Sequence, residues 1–185
     1  MSSVMEYLQG RGVPFLVLPA PQATEAVEAA RVHGFSADEV VRTAVVTTRY
    51  GHALMVIPAG RELVEELVIE ALGDDQIHMA GERDILRNYP EYEPGALPPL
   101  GLFFSAPMYV DSAVARREAV VFAVGRASLA IRMLTKDLFR DDPVVIAPLT
   151  RESQREAAAE ALASPVDGPE DRPGSEPGSE PGGTP

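Results

Sequence analysis

The residues of this chain best suited to chemistry are a cation at the start of an apolar strand and a glycine- and proline-rich loop about fifty residues later. Arg42 and Thr43 lead directly into the apolar residues 44–48, and the loop covers residues 94–101. A guanidinium can bind a phosphate or a polarised carbonyl, and a loop of this composition exposes backbone N–H groups that can do the same. Each segment alone is also an ordinary strand end or turn.

The chain offers few other groups for catalysis. It has no cysteine, which excludes disulfides, a thiolate nucleophile and cysteine-ligated metals. Its histidines, His33, His52 and His78, lack the clustered spacing of metal ligands. No G-x-S-x-G elbow, P-loop or dinucleotide fingerprint occurs. We therefore expect no metal, no cofactor and no protein nucleophile.

The charge balance limits the partners that this chain can bind. Its 28 acidic and 16 basic residues give a net charge of −12, whereas proteins that bind duplex DNA carry a basic face. Any nucleic-acid contact should be small, such as the 3′ end of a tRNA. No apolar run is long enough to span a membrane, and the N-terminus lacks a signal-peptide pattern. We expect a cytoplasmic protein that binds neither membrane nor duplex DNA.

The hydrophobic pattern mixes helices and strands around the two segments. Helices are expected at residues 3–10, 24–32, 62–72, 82–88, 135–139 and 151–162, and strands at 15–18, 44–48, 53–57, 77–79, 103–104, 108–110, 120–124 and 129–133. Two strand pairs are joined by short turns typical of antiparallel hairpins. This predicts an α/β fold of the α+β type, with a mixed, largely antiparallel β-sheet or barrel flanked by helices.

Composition divides the chain into three expected parts. Residues 1–148 form the main domain, 149–163 a C-terminal helix, and 164–185 an acidic tail rich in Pro, Gly, Ser and Glu. The tail has almost nothing to bury and is therefore expected to be disordered.

Taken in order, these segments resemble the YbaK family, which is related to the editing domain inserted in prolyl-tRNA synthetases. The similarity covers residues 3–146 and is most specific in the loop, where residues 95–101 keep the family's G-x-x-x-P spacing and final glycine. Further similar segments are the apolar strand 54–59, the Ala-Leu-Gly at 71–73 with 77–80, the Val-Asp at 110–111, and the turn at Gly125 and Arg126.

The resemblance implies a trans-editing deacylase, which hydrolyses the ester bond of mischarged aminoacyl-tRNA carrying a small amino acid. A tRNA synthetase is then an additional candidate partner. Family members are thought to let water attack the ester carbonyl with help from the substrate's ribose hydroxyl. The resemblance assigns catalytic roles to Arg42, Gly95 and Pro99, and substrate contacts to Thr43, Ala96, Leu97, Gly101, Gly125 and Arg126. Asp111 is expected to fix local structure.

The chain departs from the family pattern at several positions. Arg42 stands where the family has lysine, Pro98 where it has a serine, and Ala130 where it often has an acid or amide; the second loop glycine is Ala96, and a tyrosine near the end of the first strand has no counterpart. These departures leave a second function open: a catalytically degenerate module that binds an aminoacyl-tRNA end, a nucleotide or a protein partner. The alternative prediction for Arg42 is a structural ion pair with Asp38 or Glu39 of the preceding turn.

Overall fold

Two β-sheets, of three and five strands, form the frame of the structure, a computed structural model that describes residues 3–19 and 26–163. The strands are β1 (Leu16–Pro19), β2 (Val41–Thr48), β3 (Gly51–Pro58), β4 (His78–Met79), β5 (Met108–Asp111), β6 (Ala119–Ala123), β7 (Leu129–Leu134) and β8 (Val144–Ala147). The helices are α1 (Ser3–Gly10), α2 (Ala26–Val32), α3 (Glu65–Leu72), α4 (Glu82–Asn88), α5 (Gly101–Phe104), α6 (Ser112–Ala115), α7 (Thr135–Leu138) and α8 (Arg151–Ala163). Among these helices, none is long and apolar enough to cross a membrane.

The strand order confirms a mixed, largely antiparallel arrangement. The small sheet has the order β1-β7-β6 and the large sheet β4-β2-β3-β5-β8. All pairings are antiparallel except β3 with β5 and β5 with β8. The sheets touch through a parallel bridge from Val40 to Val121. Neither β4 nor β8 pairs with a strand of the small sheet in the described ranges, so the predicted alternative of a closed barrel is wrong.

Alternation along β2 decides which of its side chains enter the core. Val41 and Val45 are buried in the main core together with Phe122 of the small sheet. Val46 faces a second cluster under α3. Arg42, one residue from Val41, therefore points to the opposite face from the main core and remains half-buried. The strand period thus places this cation at the sheet's end without burying it.

Most predicted elements are present with shifted ends, and one is wrong. Residues 103–104, expected as strand, lie in α5, because the Asp142 carboxylate accepts a 2.9 Å hydrogen bond from the Leu102 N–H and so satisfies the first turn of this helix. Thr135, with which the predicted helix begins, is the first residue of α7, and its buried hydroxyl is unbonded within the described chain. The sequence pattern predicts neither α6 nor β8. The start expected for α2 at residue 24, and the tail 164–185, lie outside the described residues.

Asp74 and Asp75, adjacent in sequence, have different environments. Asp75 is exposed, as expected of a solvated loop, but Asp74 is buried. Its two carboxylate oxygens accept hydrogen bonds from Nε (2.9 Å) and Nη2 (2.6 Å) of Arg49 in the β2–β3 turn. These bonds, and a further one from the Gln76 N–H, hold the pKa of Asp74 below its ordinary value of 3.8. The pair therefore ties the hairpin turn to the end of α3.

The Asp111 carboxylate, which is fully buried, joins four elements. It accepts hydrogen bonds from the N–H of Ala113 (2.8 Å) at the start of α6, from the N–H of Leu149 (2.9 Å) after β8, and from the Ser153 hydroxyl of α8. Asp111 itself ends β5 and caps α6. Because the donors come from three separate segments, this one side chain holds α8 against the sheet.

Replacing Asp111 with asparagine should destabilise the protein by about 2–4 kcal/mol, because an amide nitrogen cannot accept the bonds that the second carboxylate oxygen accepts. Urea unfolding at pH 7 should show a lower midpoint with an unchanged slope. The exposed control Asp75→Asn should move the midpoint little. Equal midpoints for wild type and Asp111→Asn would contradict the structural role given to this carboxylate.

Asp74→Asn should change how stability depends on pH. Since the folded-state pKa of Asp74 is lowered, the Arg49 pair stabilises the protein fully above pH 3.8 and loses that effect as the pH falls through the folded-state value. Wild type should therefore be more stable than Asp74→Asn at pH 7, and the two should converge in acid. Urea midpoints measured from pH 7 to pH 2 test this, with Asp75→Asn as the control that keeps the wild-type profile.

Candidate functional site

A cavity of about 260 Å³ lies where the end of the large sheet approaches the turn of the β6–β7 hairpin. It brings together Arg42 of β2 and Gly95 of the proline-rich loop, which are 53 positions apart in sequence (95 − 42). Small or β-branched apolar residues form most of the wall. The lining residues are Val27, Val40, Val41, Arg42, Ala59, Pro94, Gly95, Ala123 and Ala127.

Arg42 is the charged residue of this cavity lining. Its Nη2 donates a 3.2 Å hydrogen bond to the backbone carbonyl of Arg61. No carboxylate of the described chain forms an ion pair with it: Glu39 bonds Arg132 at 2.7 Å, and Asp38 lies 3.9 Å from Arg117. The expected alternative, in which Arg42 pairs with one of these acids, is therefore not observed. A guanidinium held through one of its five donors can still bind an anion or a carbonyl with the others.

Gly95 lies at the third position of a tight turn. The Ala96 N–H donates to the Glu93 carbonyl at 2.9 Å, Pro94 occupies the second position, and Gly95 has φ +82°. These are the features of a type II β-turn, whose third position favours glycine because a Cβ is strained there. The Gly95 N–H has no acceptor among the described residues, so the turn leaves a backbone donor at the cavity.

The same turn is bonded to the β6–β7 hairpin. The Glu93 N–H donates to the Gly125 carbonyl and the Gly125 N–H to the Ala96 carbonyl, each at 2.9 Å. The Glu93 carboxylate also accepts from the Ala127 N–H at 2.8 Å. Three bonds thus fix two loops from distant parts of the sequence beside each other, and the cavity wall includes a residue of each.

The remaining predicted site residues are spread more widely. Arg126 is exposed on the hairpin turn next to the cavity residue Ala127. Thr43, Leu97 and Pro99 are buried and do not line the cavity. Gly101 lies in α5, where a Cβ would come within 2.8 Å of the Ala106 carbonyl oxygen. Close packing accounts for that glycine. The roles predicted for Arg126, Thr43, Leu97, Pro99 and Gly101 stay predictions.

The apolar wall residues were not among the predicted site residues. Val40, Ala59, Ala123 and Ala127 come from the ends of different strands and turns. Nothing in their type separates them from other small core residues. Short apolar side chains at strand ends are the one sequence feature that these wall residues share. Many strands have that feature, so it does not identify a cavity wall.

Among the described residues that line the cavity there is no histidine, cysteine or carboxylate. Elsewhere, His52 Nδ1 is 2.8 Å from the Tyr89 hydroxyl, and His78 Nε2 is 3.2 Å from Asp84. No group of three possible metal ligands exists within residues 3–19 and 26–163. The arrangement of Arg42 and Gly95 can bind a negative or polarised oxygen beside a small uncharged group.

Comparison with known proteins gives a consistent result. The family model of the aminoacyl-tRNA editing domain matches residues 20–140. No curated protein matches the chain. Among solved structures, the hypothetical protein APE2540 is 25% identical with a TM-score of 0.70, covering 80% of this chain and 99% of its own. A proposed trans-editing enzyme for prolyl tRNA synthetase is 21% identical with a TM-score of 0.67, covering 78% and 94%. A scaffold used for computational epitope grafting is 21% identical with a TM-score of 0.68, covering 80% and 94%.

Replacing Gly95 with alanine should destabilise the protein by about 1–2 kcal/mol through the backbone alone, because φ +82° is unfavourable for residues with a Cβ. No atom lies within 4 Å of the added Cβ, so a clash would not contribute. Gly10→Ala is a matched control, since it has equally open space in a helix without a positive φ. Urea unfolding should show a loss for Gly95→Ala and none for Gly10→Ala; equal effects would contradict the turn assignment.

Proposed function

Because the chain belongs to the aminoacyl-tRNA editing domain family, we propose that it hydrolyses in trans the ester bond of mischarged aminoacyl-tRNA carrying a small amino acid. The observation that supports this most directly is the shared cavity, in which the cation of Arg42 and the unbonded N–H of Gly95 lie among small apolar walls. The resemblance to the YbaK family in the loop and strands is confirmed by the family match.

The proposed reaction needs no protein nucleophile. Arg42 binds the phosphate of the terminal adenosine or the ester carbonyl, and its planar fork suits either oxygen acceptor. The Gly95 N–H orients the carbonyl and stabilises the negative charge that develops there, a contribution of about 2.7–4 kcal/mol for one such donor in a known case. Water, positioned with the ribose hydroxyl of the substrate, adds to the carbonyl carbon. The ester C–O bond then breaks, and the ribose oxygen takes a proton to leave a free amino acid and the tRNA.

The cavity dimensions support a small uncharged side chain. A volume of about 260 Å³ must hold the aminoacyl group and part of the terminal ribose. Ala59, Ala123 and Ala127 present only methyl groups, and none of the lining residues that the structure describes is a carboxylate that could pair with a basic side chain. Small amino acids are also those that synthetase pockets confuse, because one methylene changes binding by only about 1–3 kcal/mol.

The partner proposed is the 3′ end of an aminoacyl-tRNA. A net charge of −12 favours such a limited contact over an extended nucleic-acid surface. Exposed Arg126, beside the cavity, is a candidate for an additional phosphate contact. A solved structural neighbour is a proposed trans-editing enzyme for prolyl tRNA synthetase, so a synthetase is a second proposed partner. The cytoplasm is the compartment where both partners occur.

A binding module that has lost catalysis is the second candidate function. Pro98 supplies neither the family's hydroxyl nor a backbone N–H, and it is buried. Arg42 stands where the family has lysine, and a site that needs a compact ammonium would not function with a guanidinium. Both features favour retention of a ligand without turnover.

Purified protein should hydrolyse at least one ester in a panel of Cys-, Ala-, Ser- and Pro-tRNA. Arg42→Ala should lower that rate about 100-fold or more, because it removes the one cation among the described lining residues. Arg83→Ala, an exposed arginine on α4, should keep the wild-type rate. The measurement is release of labelled amino acid from each tRNA. Absence of turnover from every ester with folded wild-type protein would reject the deacylase.

Arg42→Lys separates the two candidate functions. An active deacylase with an altered cation should show equal or higher hydrolysis with the family lysine restored. A binding module should stay inactive with lysine and still bind an aminoacyl-adenosine analogue more tightly than Arg42→Ala does. Titration calorimetry with a non-hydrolysable amide analogue measures this binding.

A further inference from the structure

A series of hydrogen bonds connects the cavity cation to a helix that lies outside the matched family segment. Arg42 Nη2 donates to the Arg61 carbonyl at 3.2 Å. The Arg61 side chain is bonded to a different part of the chain. Its Nη1 donates to Ser153 Oγ and its Nη2 to Glu156 Oε1, each at 2.7 Å. Both acceptors belong to α8 (Arg151–Ala163), whereas the family match ends at residue 140.

We propose that Arg61 is a positioning residue, through which α8 fixes the orientation of Arg42 in the cavity. Its effect on hydrolysis rests on the function proposed above, but its effect on the Arg42 side chain does not. The proposal makes α8 part of the site, although composition alone separates it from residues 1–148.

The contacts on α8 are rigid enough for this role. Ser153 is fully buried, and its hydroxyl donates to Asp111 while accepting from Arg61 and from the Thr150 hydroxyl at 2.9 Å. Two of these bonds join Ser153 to other segments, Asp111 of β5 and Arg61 after β3. The Ser153 oxygen that accepts from Arg61 therefore cannot shift without breaking another bond.

Glu156, the second acceptor of Arg61, is bonded to two arginines. One oxygen of its carboxylate accepts a hydrogen bond from Arg61, and the other accepts one from Arg116 Nη2 at 2.6 Å. Hydrogen bonding from Arg61, followed by the nearby charges, lowers the pKa of Glu156, so the acceptor keeps its charge at neutral pH. Arg61 has 21% of its side chain exposed, and two fixed acceptors determine its geometry.

The backbone of residue 61 is fixed as a result. Its N–H donates to the Pro58 carbonyl at 3.0 Å at the end of β3, and its side chain is held by α8. The Arg61 carbonyl, which accepts the hydrogen bond from Arg42, is therefore held by the bond to Pro58 and by the bonds to α8. A long arginine side chain has several rotatable bonds whose freedom is lost when it binds a ligand. An acceptor fixed in place removes part of that freedom beforehand, which favours transition-state binding over a freely moving cation.

The first test observes the Arg42 guanidinium directly and needs no turnover. Nitrogen-15 NMR measures the rotation rate about its Nε–Cζ bond, with the signal assigned by its loss in Arg42→Lys. Rotation should be slow in wild type and at least about threefold faster in Arg61→Met, which keeps the backbone carbonyl but removes the bonds to α8. Arg83→Met is the control for the same change of side chain, since Arg83 is exposed on α4 away from these bonds, and it should leave the rate unchanged. Equal rotation in wild type and Arg61→Met overturns the proposal.

The second test is a double-mutant cycle on whichever ester wild type hydrolyses. Arg61→Met should lower kcat/KM about tenfold when Arg42 is present and have no further effect in Arg42→Ala, because Arg61 acts through Arg42. A merely structural role would lower both backgrounds equally, and that result contradicts the proposal. Glu156→Gln changes a partly exposed acceptor of Arg61 on α8. It should lower kcat/KM and speed the rotation of the Arg42 guanidinium, as Arg61→Met does, and it replaces that variant if Arg61→Met does not fold. If wild type hydrolyses no ester, the deacylase is rejected while the rotation measurement still decides the role of Arg61.

Discussion

The buried Asp111 carboxylate is the contact on which much of this architecture depends. It sits at the end of β5, a central strand of the large sheet, and receives bonds from the start of α6, the segment after β8, and α8. A buried carboxylate is stable only when its oxygens are bonded. The hydrogen bonds that satisfy Asp111 therefore also fix the chain segments that follow it. Ser153, which donates to Asp111, accepts from Arg61, and the Arg61 carbonyl accepts from Arg42 in the cavity.

The candidate site is a product of the approach of two sheets. The bridge from Val40 to Val121 brings the first residues of β2 beside the small sheet. Hydrogen bonds between the turn at 93–96 and the hairpin turn at Gly125 close the other side. In the part of the chain that the structure describes, the cavity offers a held cation, a backbone donor and apolar walls. That inventory suits a reaction in which the substrate supplies the activating group and the protein supplies orientation.

The site keeps one feature of the editing-domain family and changes two others. The tight turn at Gly95 keeps the geometry of a backbone donor, while Arg42 and Pro98 alter the groups around it. An arginine is bulkier and binds in a fixed plane, and here a separate helix holds the backbone to which it bonds. The external support from α8 is physically reasonable for a site whose cation is long and has several rotatable bonds.

The sequence by itself determined the mixed fold, both hairpins and the positions of most helices. These follow from periodicity and turn residues, which are local properties. Tertiary structure decided the rest. Residues 103–104 are helical because Asp142, some forty positions away, satisfies the first turn of α5. Asp74 is buried where Arg49, 25 positions away, donates two hydrogen bonds to its carboxylate. Likewise, the apolar cavity walls and the support of Arg42 by α8 depend on side chains from distant segments meeting in space, and no local pattern encodes such a meeting.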